Sequence, residues 1–216
     1  MTEITVFGGT GYAGAAIVAE AVARGHRVRA AARHRPTPDK TVPGATYLEG
    51  SVTEPDFLEV GCAEAEVVIS ALAPRGPMLG QVRPVNRRLA ELAEQLGFRL
   101  GVILGAGSLQ VTPGGPTLAA GPDFPPEFKP EADEMASVLE DLRSSAAEVD
   151  WFGVSPAPGF GAFAPVQALG RYRIGGDVML VDNDGQSQIS AADLALAVID
   201  EVEHPTHKRT RFTVAN

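Results

Sequence analysis

Cysteine is almost missing from this chain of 216 residues: Cys62 stands alone, which excludes an intrachain disulfide and a thiolate zinc cluster. Between Gly61 and Ala63 it reads as a small buried or half-buried thiol. Positive charge is also short, with 18 Lys and Arg against 27 Asp and Glu, a formal net charge of −9. Such a balance argues against a broad nucleic-acid or anionic-membrane surface. The acidic side chains (Glu91, Glu94, Glu140, Asp141, Glu201, Glu203) are scattered over predicted helices, and read as a solvated face. No apolar run approaches the ~20 residues that span a bilayer. Met1-Thr2-Glu3 leads straight into an apolar strand with no basic n-region before it, so the expectation is a cytoplasmic protein.

What is present begins almost at once. The apolar run Ile4-Thr5-Val6-Phe7 is followed by Gly8-Gly9-Thr10-Gly11-Tyr12-Ala13-Gly14. Gly9, Gly11 and Gly14 fit G-x-G-x-x-G, and Gly8, Gly11 and Gly14 fit G-x-x-G-x-x-G. In a strand–turn–helix context an early glycine permits the turn, and Gly11 leaves the backbone N–H groups open to phosphate. Gly14 lets helix and strand approach. The helix N-terminus then meets the anion with free N–H groups and its positive dipole end. Downstream, Ile17, Val18, Ala21 and Val22 supply an apolar stripe, Gly25 a stop, and His26–Ala32 a second strand. This completes a βαβ unit of about 30 residues.

The alternation continues. Strands are predicted over Ile4–Phe7, Arg27–Ala32, Thr46–Leu48, Val67–Ala71, Leu100–Leu104, Trp151–Ser155 and Phe212–Val214. Helices are predicted over Tyr12–Arg24, Glu54–Cys62, Pro84–Leu96, Pro130–Ser145 and Ala191–Glu203. The fold class is therefore α/β, one Rossmann-like domain over residues 1–216, doubly wound, with a mainly parallel sheet covered by helices on both faces. Two Pro/Gly-rich stretches, Pro113 to Pro130 and Pro156 to Gly176, are too long for simple connections and are expected to wall a cleft at the strand ends. An apolar face on Pro84–Leu96 or Pro130–Ser145 would serve either a core or a homodimer.

The second strand indicates which cofactor to expect. An NAD site usually carries Asp or Glu there, about 20 residues past the last glycine, for the ribose 2′-OH. Here the place is held by Arg33-His34-Arg35, with no carboxylate from Ala21 to Pro38. Arg33 suits a 2′-phosphate, with His34 or Arg35 assisting, so NADPH is favoured and NADH stays open.

These residues resemble the opening of an atypical short-chain dehydrogenase/reductase. Gly105-Ala106-Gly107-Ser108-Leu109 with Pro113-Gly114-Gly115 after it is similar to the bacterial NADH-flavin reductase-like group, related to the biliverdin/flavin reductase and NmrA-like branches. Phe128-Lys129-Pro130-Glu131-Ala132, Tyr172–Asp177 and the ending Ile189–Asp193 through Arg211–Val214 extend the likeness over the whole chain. The resemblance implies that Thr10, Tyr12 and Ala13 border the pyrophosphate. It puts Gly50, Ser51 and Val52 beside the adenine, although Asp commonly stands where Ser51 is. Ala71, Leu72 and Ala73 would pass beneath the nicotinamide ribose, while Gly105, Ala106, Gly107 and Ser108, with Pro156 to Gly159, would approach the nicotinamide.

One pair is missing. Short-chain dehydrogenases use Tyr-x-x-x-Lys to protonate a carbonyl oxygen, but none of Tyr12, Tyr47 and Tyr172 has a lysine four residues on. Ordinary ketones need that proton as the alkoxide forms. A flavin or quinone delocalises the arriving charge and takes its proton from water, so it asks chiefly for stacking and alignment.

Two polar candidates remain as catalytic groups, and no metal is expected. Ser108 offers its hydroxyl to an acceptor carbonyl, or else caps local backbone. Lys129, one of few lysines, is placed to bind ribose hydroxyls or a phosphate, or else is exposed on a loop. Phe124, Phe128, Phe160 and Phe163 fall in the two long loops, as a sandwich for a flat acceptor or as anchors to the core. His204 and His207 read as surface histidines. The expectation is thus an NADPH-dependent reductase acting on a small planar acceptor. The alternatives are a non-catalytic NmrA-type redox sensor and a specialised biosynthetic reductase or isomerase.

Overall fold

The computed structural model describes residues 1–216. Eight strands make one sheet: β1 (Glu3–Phe7), β2 (Arg27–Ala32), β3 (Thr46–Glu49), β4 (Val67–Ser70), β5 (Arg99–Ile103), β6 (Trp151–Pro156), β7 (Arg173–Gly175) and β8 (Thr210–Ala215). Five helices connect them: α1 (Tyr12–Ala23), α2 (Pro55–Cys62), α3 (Val82–Leu96), α4 (Lys129–Arg143) and α5 (Ala191–Glu203). The strand order is β3-β2-β1-β4-β5-β6-β8-β7, and every pairing is parallel except β7 with β8. This is the Rossmann order, in which the chain leaves β1 to one side and resumes at β4 on the other.

The strands are apolar on both faces because both are covered. Ile4, Val6, Ile69, Val154 and Phe212 meet Ile17 and Val18 of α1 and Leu194 and Val198 of α5 on one face. Phe7, Val68, Leu100 and Trp151 meet Leu89 of α3 and Val138 and Leu139 of α4 on the other. Each such side chain, fully buried, contributes about 2 kcal/mol. The apolar faces of α3 and α4 are thus spent on the core. No helix is long and apolar enough to cross a membrane.

Several expectations shift. α3 begins at Val82, two residues before Pro84, which is tolerated in the first turn because the N–H it lacks would have no partner there. α4 begins at Lys129, with Pro130 behind it in the first turn. The short strand β7 was not expected; it has three residues, ends in glycine and exists only through pairing such as Ile174 with Val214.

Two further readings are corrected. Glu201 is buried rather than solvated, and receives Arg99 Nη2 at 2.6 Å and Thr206 Oγ1 at 2.9 Å. Burial pushes its carboxyl up, but these bonds and those from His207 outweigh it and hold it below its ordinary range. His207 is no simple surface residue: it pairs with Glu201 at 2.7 Å and stacks on Phe212 with ring centroids 4.1 Å apart. Cys62 is buried as expected, and desolvation pushes its thiol up to about 12.

Candidate functional site

The carboxyl ends of the parallel strands lie along one edge, and the crevice at the β1/β4 switch point is where an open α/β sheet takes its ligand. Gly8 and Gly9 both donate to Ala31 O, at 2.9 and 3.2 Å, while Ala71 N donates to Phe7 O at 2.9 Å. The turn is thereby pinned between β2 and β4. Gly8 has φ +78°, and a Cβ on it would stand 2.7 Å from Ala71 O. A Cβ on Gly14 would stand 2.1 Å from Gly8 O, so helix α1 rises directly out of the turn.

Gly11 is the N-cap of α1 and supplies no side-chain bond. The backbone N–H groups of Thr10, Tyr12, Ala13 and Gly14 have no protein acceptor. A row of free donors at a helix N-terminus, in a cradle that any Cβ would fill, fits a pyrophosphate.

At the end of β2, Arg33, His34 and Arg35 are all exposed. His34 Nδ1 is 3.9 Å from Glu49 Oε1, whereas Arg33 and Arg35 make no hydrogen bond or ion pair. An unpaired guanidinium keeps its whole fork available to an anion. Ser51 folds back on its own loop, with Oγ 2.8 Å from Thr53 Oγ1, and Val52 sends its side chain into the core beneath β3. Ala71 and Leu72 are likewise half-buried against opposite cores, while Ala73 is exposed. What Val52 offers the crevice is therefore main chain, whereas the Leu72 side chain lies beside the glycine turn, its Cδ2 3.4 Å from where a Cβ on Gly8 would stand. Pro156 is the buried last residue of β6, followed by Ala157 N donating to Val214 O at 3.0 Å.

After β5 the chain turns through Gly105, Ala106, Gly107 and Ser108. α4 presses close, since a Cβ on Gly107 would stand 2.7 Å from that of Ala132. Ser108 and Lys129 line the same cavity of about 130 Å³, together with Gly107, Thr117 and Ala132. The two polar candidates, 21 residues apart in sequence, are thus brought to one place. Lys129 Nζ is held by Asp133, one turn along α4. A larger cavity of about 270 Å³ lies between α3 and α4, lined by Asn86, Ala90 and Leu142 among others. It holds none of the strand-end residues, and of its three carboxylates, Glu91, Glu94 and Asp141, the last is occupied by Arg83 and Arg87, which hold it well below the ordinary range.

Beneath Ser108 is a residue that sequence reading passed over as a site group. Arg211 of β8 is buried, and its Nη1 donates to Ser108 Oγ at 3.2 Å and to Ser155 Oγ at 3.1 Å. Its Nε donates to Asp177 Oδ1 at 2.8 Å. The available signal was an arginine directly before the apolar-rich run Phe212-Thr213-Val214, which the structure buries throughout.

The aromatics divide. Phe160 packs on the Tyr12 ring, centroids 5.2 Å apart, and joins the core, so it anchors its loop. Phe128 and Phe163 stack on one another across the two long loops at 6.3 Å, and both remain exposed. Phe124 is half-buried. The remaining tyrosine hydroxyls are engaged elsewhere: Tyr47 accepts from Val42 N at 2.9 Å and Tyr172 donates to Asp200 at 2.5 Å, where burial and that carboxylate push its pKa up.

Known proteins share this fold. Residues 8–205 match the family described as NAD(P)H-binding. The chain is 35% identical over 215 residues to the YwnB protein of Bacillus subtilis, covering 99% of this chain and 98% of that one. The crystal structure of a candidate NADH-flavin reductase from Streptococcus pneumoniae superposes with a TM-score of 0.83 at 32% identity, each chain covered in full. A candidate epimerase from Bacteroides thetaiotaomicron gives a TM-score of 0.86 at 32% identity, over 99% of this chain and 96% of that one.

Proposed function

Since the chain belongs to the NAD(P)H-binding family, we propose that it is an NAD(P)H-dependent oxidoreductase, with NADPH favoured, that reduces a planar acceptor such as a flavin or quinone. The observation that carries this reading is the glycine cradle at the switch point, with its unpaired backbone donors at the N-terminus of α1. When bound there, the nicotinamide supplies a hydride. NADPH, a proton and oxidised flavin then give NADP⁺ and reduced flavin.

The chain's own residues divide the work. Thr10, Tyr12, Ala13 and Gly14 hold the pyrophosphate through main-chain N–H groups. Arg33 meets the 2′-phosphate, and His34 or Arg35 assists. Gly105 to Ser108 border the nicotinamide, and Lys129, released from Asp133, reaches a ribose hydroxyl or phosphate. The exposed Phe128 and Phe163 rings offer stacking area at the mouth between the two long loops. No tyrosine with a lysine four residues on stands ready as a proton donor, which favours an acceptor that takes its proton from water. The likeness to the Streptococcus pneumoniae protein supports the same choice.

The test is NADPH oxidation, followed by absorbance, across FMN, FAD, riboflavin and several quinones, with NADH alongside. Saturable turnover with a preference for NADPH is the expected result. Tight dinucleotide binding with no turnover on any acceptor would instead make the protein a redox sensor.

A further inference from the structure

Resting on the reductase reading, we infer that the buried Arg211 is a positioning residue that fixes Ser108 as a hydrogen-bond donor to the acceptor. A guanidinium only donates, so Ser108 Oγ and Ser155 Oγ must both accept from Arg211 Nη1. Ser155 spends its own hydrogen on Gly105 O at 3.1 Å, and a carbonyl oxygen only accepts. Ser108 has no protein acceptor for its hydrogen, and Ser108 lines the cavity beside Lys129. Of the two hydroxyls on Arg211, one is therefore consumed and one is left with a free donor.

Arg211 is itself held in place. Its side chain is 2% exposed, and Asp177 receives its Nε and Nη2. The same Asp177 takes Arg143 Nη2 at 3.2 Å, and its backbone oxygen takes Gln110 N at 2.8 Å. Both ends of the Gly105–Ser108 turn thus hang on one cation: Gly105 through Ser155, and Ser108 directly. A positive group behind a hydroxyl oxygen strengthens the bond its hydrogen makes.

Volume indicates what receives that bond. At about 130 Å³ the cavity is well below the roughly 300–1,000 Å³ that encloses a whole drug-sized ligand. It takes an edge, such as a ring carbonyl on which charge grows as hydride arrives. Ser108 keeps its proton throughout, and the acceptor's proton comes from solvent.

A double-mutant cycle tests this, with NADPH as donor and FMN and a naphthoquinone as acceptors. Ser108→Ala is expected to lower kcat about tenfold to a hundredfold. Arg211→Gln is expected to lower it comparably, the two together no more than either alone, with the Kd for NADPH unchanged. Should Arg211→Gln fail to fold, Asp177→Asn on the half-exposed carboxylate replaces it, and must lower kcat only while Ser108 is present. Losses that multiply, or a weakened NADPH Kd, would overturn the role of Arg211 while leaving the reductase intact. Absence of wild-type turnover with any acceptor overturns the reductase reading, and this inference with it.

Discussion

Arg33 and Arg211 are both cations near the strand ends, yet one is exposed without a partner and the other is buried with three. That contrast assigns them different work. Arg33 has its charge free for an incoming phosphate, so Arg33→Glu is expected to weaken NADPH binding about tenfold or more while moving NADH severalfold less. Titration of both dinucleotides by fluorescence measures this, and equal losses would remove Arg33 from the phosphate site. The glycine turn and the position of Arg33 at the end of β2 were legible in the sequence because their demands are local: a turn, a close approach, the end of one strand. Arg211 was not. Its partners Ser108, Ser155 and Asp177 lie 103, 56 and 34 residues away, and no local pattern brings them together.

Among the elements, α5 shows how a helix start can also secure a loop. Ser190 caps it by accepting from Asp193 N at 2.9 Å, and Ser190 Oγ donates to Asp193 Oδ2 at 2.7 Å. The same carboxylate oxygen takes Leu169 N and Asn216 Nδ2, each at 2.9 Å. Asp193→Ala is expected to cost about 2 kcal/mol, roughly 4–8 °C in Tm for a chain of this size, and to loosen the loop before β7. A thermal melt with hydrogen exchange at Leu169 reads both; a Tm within a degree of wild type would refute it. Seven strands and five helices were visible in advance, since doubly covered strands read as apolar runs and helices carry their stripe. β7 escaped because nothing in Arg173–Gly175 signals a strand until β8 lies beside it.

Across the whole molecule, acid stability follows from hydrogen-bonded carboxylates along α5, which tie that helix to the elements around it. Burial pushes Asp193, Asp200 and Glu201 up, but their hydrogen bonds prevail and hold all three below their ordinary values. A lowered folded pKa gives stability that is complete above the unfolded value, about 4, and is lost as pH falls through the folded one. Tm is therefore expected to hold from pH 7 to about 5 and to fall below about 4; a flat profile down to pH 3 would contradict it. The sheet order also sets a sequence in time. β1 to β4, with the glycine cradle, leave the ribosome early, whereas β7 can pair only after the later β8 has emerged to lie between it and β6. The proposed site is thus synthesised in two instalments, the glycine turn with the first strands and Arg211, which lies behind Ser108, only with the last strand.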